Sequence, residues 1–199
     1  LRGSLAHGSA LNHLVSKVDT PYLSILDADA TWLIKGWDEI LISLLDDEIK
    51  IVGSQAPIGS KKPQDFPLMF AILFETEAFK KLNIDFMPKE ISKYRDTGWE
   101  IREKYLKAGH KGRLLEMKNT RDYKDGPFKE VTCAEYYLEG VPQIFASHFG
   151  RGSTSGEHKY RRGTSFLYRL PILGKFFRLR RGEQEKKTWI RICKEIVDK

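Results

Sequence analysis

The chain of 199 residues has few cysteines and no long apolar run, and each absence argues against a class of protein. Its two cysteines, Cys133 and Cys193, show neither metal-ligand spacing nor a disulfide framework, so a reducing, cytoplasmic location is expected. The longest apolar run, residues 67–74, is far shorter than the roughly 20 residues of a membrane-spanning helix. The sequence also contains no internal repeat.

Acidic residues are scarce towards the C-terminus, although the chain as a whole has 34 Lys and Arg against 27 Asp and Glu. Between Lys159 and Lys187 the only acids are Glu183 and Glu185. Apolar and basic side chains are interleaved over residues 160–181, which is typical of a segment lying peripherally on the anionic inner face of a membrane. A helix packed on its own domain with a basic outer face is an equal alternative, and nucleic-acid binding is a lesser one.

Two carboxylates, Asp27 and Asp29, follow the apolar run of residues 22–26. The run has the length of a buried strand. A strand that ends in Asp-x-Asp presents both carboxylates at the carboxyl edge of a sheet, where open α/β sheets bind ligands. Carboxylate oxygens suit Mg²⁺ or Mn²⁺, so a metal site is expected there, with solvated loop aspartates as the alternative.

The order of the predicted elements indicates an α/β fold with a parallel or mixed sheet. A helix over residues 5–17 precedes the strand, and residues 37–45 carry one apolar helical stripe. The next strand is expected at residues 49–53, and a later helix at residues 96–108. With 41% hydrophobic and 12% aromatic residues, the composition suits one globular domain with an appendage.

The segment His7-Gly8-Ser9-Ala10-Leu11-Asn12, the strand that ends in Asp-x-Asp, and the helix and strand from Trp32 to Gly53 occur in a recognisable order. Together they resemble the inverting family 2 glycosyltransferases of GT-A fold, over roughly residues 3–150. The resemblance implies a GT-A-like, Rossmann-like mixed sheet flanked by helices in residues 1–155, followed by a basic amphipathic helical tail in residues 156–199.

No counterpart of that family's first strand–helix–strand unit precedes Leu1. By the resemblance, this unit holds part of the nucleotide pocket. We therefore expect an N-terminally incomplete catalytic domain that binds a nucleotide-sugar weakly or not at all by itself.

The resemblance implies roles for several residues around the metal. Asp29 would ligate Mn²⁺ or Mg²⁺ directly, and Asp27 would contact the ribose or the metal and its waters. His148 stands where the family often has a third ligand, and the alternative is a core histidine at the end of a strand. Gly8 and Asn12 belong to the donor-side motif.

The reaction also needs a base that deprotonates the acceptor hydroxyl, and diphosphate-binding groups. By the resemblance, Asp96 is the candidate base, with Glu100 as the alternative carboxylate. Asp96 is equally suited to cap a helix. Arg151 and Arg161 are candidate partners of the diphosphate, since guanidinium groups suit phosphate oxygens.

The sequence therefore predicts metal-dependent transfer of a sugar, with inversion, from a nucleotide donor that is expected to be UDP-linked. The acceptor would be a saccharide or a lipid-linked molecule. One alternative is a phosphatase of the haloacid-dehalogenase type, in which Asp27 is the nucleophile. The other is a degenerate transferase module that binds a membrane or a partner without catalysis.

Overall fold

The structure, a computed structural model, describes residues 2–89, 96–150, 157–160, 166–170 and 173–199. These residues form α-helices and seven β-strands, paired both parallel and antiparallel, so the predicted mixed α/β class is confirmed. They make two compact units: unit 1 is Leu1–Leu26 with Gly36–Met117, and unit 2 is Asp27–Lys35 with Lys118–Lys199. The predicted boundary between residues 155 and 156 lies outside the described residues.

The sheet of unit 1 has four strands. In chain order they are β1 (Tyr22–Leu26), β3 (Ile49–Ser54), β4 (Leu68–Glu75) and β5 (Lys111–Asn119). Strand β4 lies antiparallel between β1 and β3, and β3 pairs in parallel with β5. The strands expected at residues 22–27 and 49–53 are therefore present.

Strand β1 is less buried than the apolar run predicts. Of its five residues only Ile25 is buried, whereas Tyr22 and Leu26 are exposed. The reason is its place in unit 1, where β1 pairs with β4 alone and lies at the end of the strand order. The expectation of a buried strand is wrong for this element.

The described residues of unit 1 form four α-helices: α1 (Arg2–Lys17), α2 (Trp37–Ile42), α3 (Thr76–Lys81) and α4 (Glu100–Lys107). Leu11 and Val15 of α1 and Tyr105 of α4 join the apolar core of this unit. Helix α4 begins four residues later than predicted, because Gly98 has a left-handed backbone with φ of 75° that interrupts a helical path from Asp96.

Unit 2 contains the short strands β2 (Ala30–Trp32), β6 (Ala134–Tyr137) and β7 (Ile144–His148), and the long helix α5 (Leu173–Val197). Strand β7 lies antiparallel between β2 and β6. The core of the unit includes apolar residues of these strands and loops together with Trp189, Ile192 and Cys193 from the second half of α5.

The C-terminal half of α5 is thus packed on its own unit. Two 3₁₀ helices, Glu157–Tyr160 and Phe166–Arg169, precede it. Within the described residues, every helix is too short or too polar to traverse a bilayer.

Candidate metal centre

The pairing of β2 with β7 brings Asp29 beside His148. In this antiparallel pair Ala30 is opposite His148, and Thr31 is opposite Ser147. The N–H of Phe149 donates to the carbonyl oxygen of Asp29 at 2.8 Å, which extends the pairing by one step beyond Ala30. The end of β7 is therefore fixed against the residue that immediately precedes β2.

A tight turn holds Asp27 near the same point. The N–H of Ala30 donates to the carbonyl oxygen of Asp27 at 2.9 Å, which closes the turn through Asp29. The imidazole Nε2 of His148 lies 3.2 Å from Asp29 Oδ1 and 3.9 Å from Asp27 Oδ2. One ligand atom from each of the three residues lies within 4.8 Å of the other two.

These three side chains fit a divalent cation. They are partly buried, with 15% of the His148 side chain, 16% of Asp29 and 31% of Asp27 exposed, so the cluster keeps a solvent-facing side on which a substrate or water can approach. Carboxylates suit Mg²⁺ and Mn²⁺, whereas imidazole suits transition metals. Mn²⁺ accepts both kinds of donor, so it fits this set better than Mg²⁺ does.

Lys159 is a charged group near this centre that the sequence analysis did not identify. Its Nζ donates to the carbonyl oxygen of Thr132 at 2.7 Å and to that of Phe149, and it lies 3.2 Å from the centroid of the Phe149 ring. Burial lowers its pKa to about 8, against the opposing influence of negative groups that include Asp29. A single lysine has no spacing pattern that would reveal such a position.

The sequence analysis also did not identify two buried carboxylates in unit 2, Glu135 and Glu185. Glu135 accepts hydrogen bonds from the N–H of Phe128 at 2.8 Å and from the hydroxyl of Tyr137 at 2.7 Å, and burial raises its pKa. Glu185 accepts from the N–H of Thr132 at 2.9 Å and from the hydroxyl of Tyr160 at 2.5 Å. Both carboxylates bind groups of their own unit, and these contacts account for their burial.

Gly8 and Asn12 lie one turn apart on α1 and face the same loop of unit 1. Asn12 Nδ2 donates to Asp85 Oδ1 at 2.6 Å, and Asn12 Oδ1 accepts from the N–H of Phe86 at 3.0 Å. A Cβ atom on Gly8 would lie 2.8 Å from the carbonyl oxygen of Phe86. Both residues therefore hold the loop against the helix, and their role in donor binding stays a prediction.

Asp96, the candidate base, is partly exposed in unit 1. Its Oδ1 accepts from the N–H of Thr97 at 2.8 Å, and its Oδ2 lies 3.7 Å from Lys62 Nζ. Because α4 begins at Glu100, with Trp99 in the capping position, Asp96 does not cap this helix. The alternative of a helix cap is therefore wrong, and the catalytic role stays a prediction.

Glu100, the alternative base, is buried among basic partners. Its carboxylate lies 2.8 Å from Lys89 Nζ and 2.7 Å from Lys104 Nζ, and it accepts from the N–H of Asp85 at 3.2 Å. Burial by itself would raise the pKa of Glu100, but the hydrogen bonds from Lys104, Lys89 and Asp85 outweigh it and lower the pKa to about 2. A carboxylate with so low a pKa is a weak proton acceptor, so the contacts favour Asp96 of the two.

The candidate diphosphate partners Arg151 and Arg161 lie outside the described residues. Of the predicted site residues, the structure brings Asp27, Asp29 and His148 together within unit 2, and it places Gly8, Asn12, Asp96 and Glu100 in unit 1. Comparisons with protein-family models, curated proteins and solved structures give no significant match to this chain. A functional assignment therefore depends on the chemistry of these residues.

Proposed function

We propose that this chain is a metal-dependent glycosyltransferase of the inverting GT-A type, which takes a sugar from a nucleotide donor of the UDP class. The observation that carries the proposal is the cluster of Asp27, Asp29 and His148 at the junction of β2 and β7. Two carboxylates and an imidazole converge there although the histidine is distant from them in sequence.

In the proposed reaction, the oxygen of the acceptor hydroxyl forms a bond to the anomeric carbon of the donor sugar. The bond between that carbon and the diphosphate oxygen breaks, and the nucleoside diphosphate leaves with the bonding electrons. The hydroxyl proton passes to a carboxylate base, for which Asp96 is the candidate. A bound divalent cation supplies positive charge that offsets the charge developing on the leaving diphosphate.

The residues of unit 2 would hold that cation. Asp29 and His148 are the less exposed pair and are fixed by backbone pairing, so they would ligate it directly. Asp27 is more exposed and would contact the cation, its waters or the donor ribose. The acceptor, a saccharide or a lipid-linked molecule, is proposed from the resemblance.

The cluster also helps to choose between the transferase and the alternative function, a phosphatase of the haloacid-dehalogenase type. Enzymes of that type combine the first aspartate with a later acidic pair at the end of a strand, whereas the strand end that meets Asp27 here carries His148. An imidazole in place of carboxylates supports the transferase over the phosphatase.

The first test is the binding of Mn²⁺ alone, because it depends only on the cluster. Mn²⁺ is titrated into the chain while the electron paramagnetic resonance signal of the free ion is recorded. We expect one bound ion per chain, with affinity reduced about tenfold or more in Asp29→Ala. The matched control is Asp125→Ala, an exposed aspartate of the same unit, which should bind Mn²⁺ as the unmodified chain does.

The second test is calorimetry with UDP in the presence and absence of Mn²⁺. UDP binding that requires both Mn²⁺ and Asp29 supports the donor class, even if it is weak. Wild-type protein that binds no Mn²⁺ at millimolar concentration contradicts the proposal. Hydrolysis of an aryl phosphate that is abolished by Asp27→Asn would instead establish the phosphatase.

A further inference from the structure

Among the residues that the structure describes, three large apolar side chains are exposed to solvent where the chain enters α5. Phe166, in the second 3₁₀ helix, is 76% exposed, and Leu173 and Phe176, in the first turn of α5, are 57% and 59% exposed. These residues lie in one stretch of unit 2, whereas the second half of α5 contributes Trp189 and its neighbours to the core.

The packing of α5 explains why these side chains point outward. Gly174 lies so close to the preceding 3₁₀ helix that a Cβ atom on it would be 2.7 Å from the carbonyl oxygen of Tyr168. Arg178 donates to the same carbonyl oxygen. Since Gly174 and Arg178 are one turn apart, this face of α5 is occupied by its own unit, and Leu173 and Phe176 lie on another face.

The exposed apolar residues lie in a basic stretch of the chain. From Leu173 to Gly182 the helix contains four Lys or Arg, namely Lys175, Arg178, Arg180 and Arg181, and no acidic residue. Arg181 is engaged by Glu185 at 3.0 Å and lies over the ring of Tyr160, whereas Lys175 and Arg180 are exposed. Arg180 is one turn beyond Phe176 and two turns beyond Leu173, so its positive charge lies on the same face of α5 as these apolar side chains.

We propose that the patch formed by Phe166, Leu173, Phe176 and Arg180 binds the surface of an anionic membrane. Aromatic and leucine side chains insert at the boundary between headgroups and acyl chains, and a Lys or Arg near an anionic surface is attracted to it electrostatically. The sequence analysis considered all of residues 160–181 as the membrane-binding segment. The proposal restricts binding to the first turns of α5 and the 3₁₀ helix before it. It does not depend on the proposed sugar transfer.

The size and chemistry of the patch favour a lipid surface over other occupants. A stable protein interface uses roughly 20–30 residues on each side, far more than the patch has among the described residues, which argues against a second copy of the chain. Single-stranded nucleic acid stacks on aromatic rings, but the aliphatic Leu173 offers no stacking face. A bilayer surface accepts aromatic, aliphatic and basic groups together.

The test is co-sedimentation of the full chain with vesicles of phosphatidylcholine alone or with about 30% phosphatidylglycerol, enough to give the anionic surface that basic residues recognise. We expect binding to the anionic vesicles, little to the neutral ones, and a decrease in the bound fraction as salt is raised. The double variant Phe166→Ser/Phe176→Ser should lose most of the binding. Arg180→Gln should reduce binding to the anionic vesicles.

The matched control is Ile58→Ser, which removes an apolar side chain that is 80% exposed in unit 1. Circular dichroism of each variant verifies that it is folded. Equal binding to neutral and anionic vesicles, or equal loss in Ile58→Ser, would overturn the proposal. So would displacement of the chain from vesicles by a short single-stranded oligonucleotide, or self-association that the double variant abolishes, because each would identify a different occupant.

Discussion

The imidazole of His148 lies 3.2 Å from the carboxylate of Asp29, although 119 positions separate the two residues in the chain. The antiparallel register of β2 on β7 is responsible, since it aligns Ala30 with His148 and so puts the preceding aspartate at the strand end. Two different ligand groups therefore meet, one from the residue that immediately precedes β2 and one from the last residue of β7, and the backbone of both is held by hydrogen bonds. The position of the cluster is therefore set by the sheet of unit 2.

Substitution of His148 tests whether the imidazole is a ligand or only a hydrogen-bond partner of Asp29. His148→Gln retains a polar side chain but removes the imidazole, so we expect Mn²⁺ affinity to fall about tenfold or more with little change in thermal stability. Titration of Mn²⁺ monitored by paramagnetic resonance measures the affinity. His13→Gln changes an exposed histidine on α1 and should leave it unaltered. A loss of stability without a loss of Mn²⁺ affinity would assign His148 a structural role.

Because of Glu100, the stability of unit 1 depends on pH in the acid range. Its pKa is about 2 in the folded chain against an ordinary value of 4.5 for a glutamate carboxyl, so above pH 4.5 its charged form stabilises the fold. The stabilisation is lost as the pH falls from about 4.5 to about 2. We expect Glu100→Gln to lower the free energy of unfolding by on the order of 2 kcal/mol at pH 7 and by much less near pH 2.

Urea unfolding of both proteins across this pH range measures the difference. Glu103→Gln alters an exposed carboxylate on the same helix and should show a small effect at every pH. A difference between the wild type and Glu100→Gln that stays constant from pH 2 to pH 7 would contradict the prediction.

Several elements of unit 1 follow directly from periodicity in the sequence. The stripe of Leu11 and Val15 predicts α1, and the short apolar run at Ile51 predicts β3, because helices and buried strands repeat their apolar positions at characteristic intervals. The start of α4 was not predictable in this way. Gly98 adopts a positive φ, and a Cβ atom there would collide with Met69, which is distant in sequence.

The candidate site, too, was predictable from the sequence only in part. Asp27, Asp29 and His148 were predicted from the order of motifs, and the structure brings them together. Strand β2, which positions them, has three residues and is too short for a periodic signal. Lys159 was missed because its burial depends on contacts with the distant Thr132 and Phe149.

The close approach of Gly8 to the loop at Phe86 predicts a cost for any side chain on that glycine. Gly8→Ala would gain helix propensity on α1, but its Cβ would lie 2.8 Å from a backbone oxygen, so we expect a net destabilisation of about 1–3 kcal/mol. Thermal and urea unfolding measure the change. Ser9→Ala, at an exposed position of the same helix, is the control and should be neutral or slightly stabilising. Unchanged stability of Gly8→Ala would mean that the loop moves away freely.

Because of Lys159, the stability of unit 2 depends on pH in the alkaline range. Its pKa is about 8 in the folded chain against an ordinary value of 10.5 for a lysine amine, because burial disfavours the charged form. Between pH 8 and 10.5 the unfolded chain binds more protons at this residue than the folded chain does, so stability from this group rises with pH.

Lys159→Met keeps the apolar stem of the side chain but cannot titrate. We therefore expect the free energy of unfolding of the wild type to rise relative to that of Lys159→Met, by on the order of 2 kcal/mol, as the pH is raised from 7 to 10. Tyrosines titrate in both proteins, so their contribution cancels in the difference. Lys129→Met removes an exposed lysine and should show no such trend. A difference that is independent of pH would mean that Lys159 stays protonated, held by the carbonyl oxygens of Thr132 and Phe149.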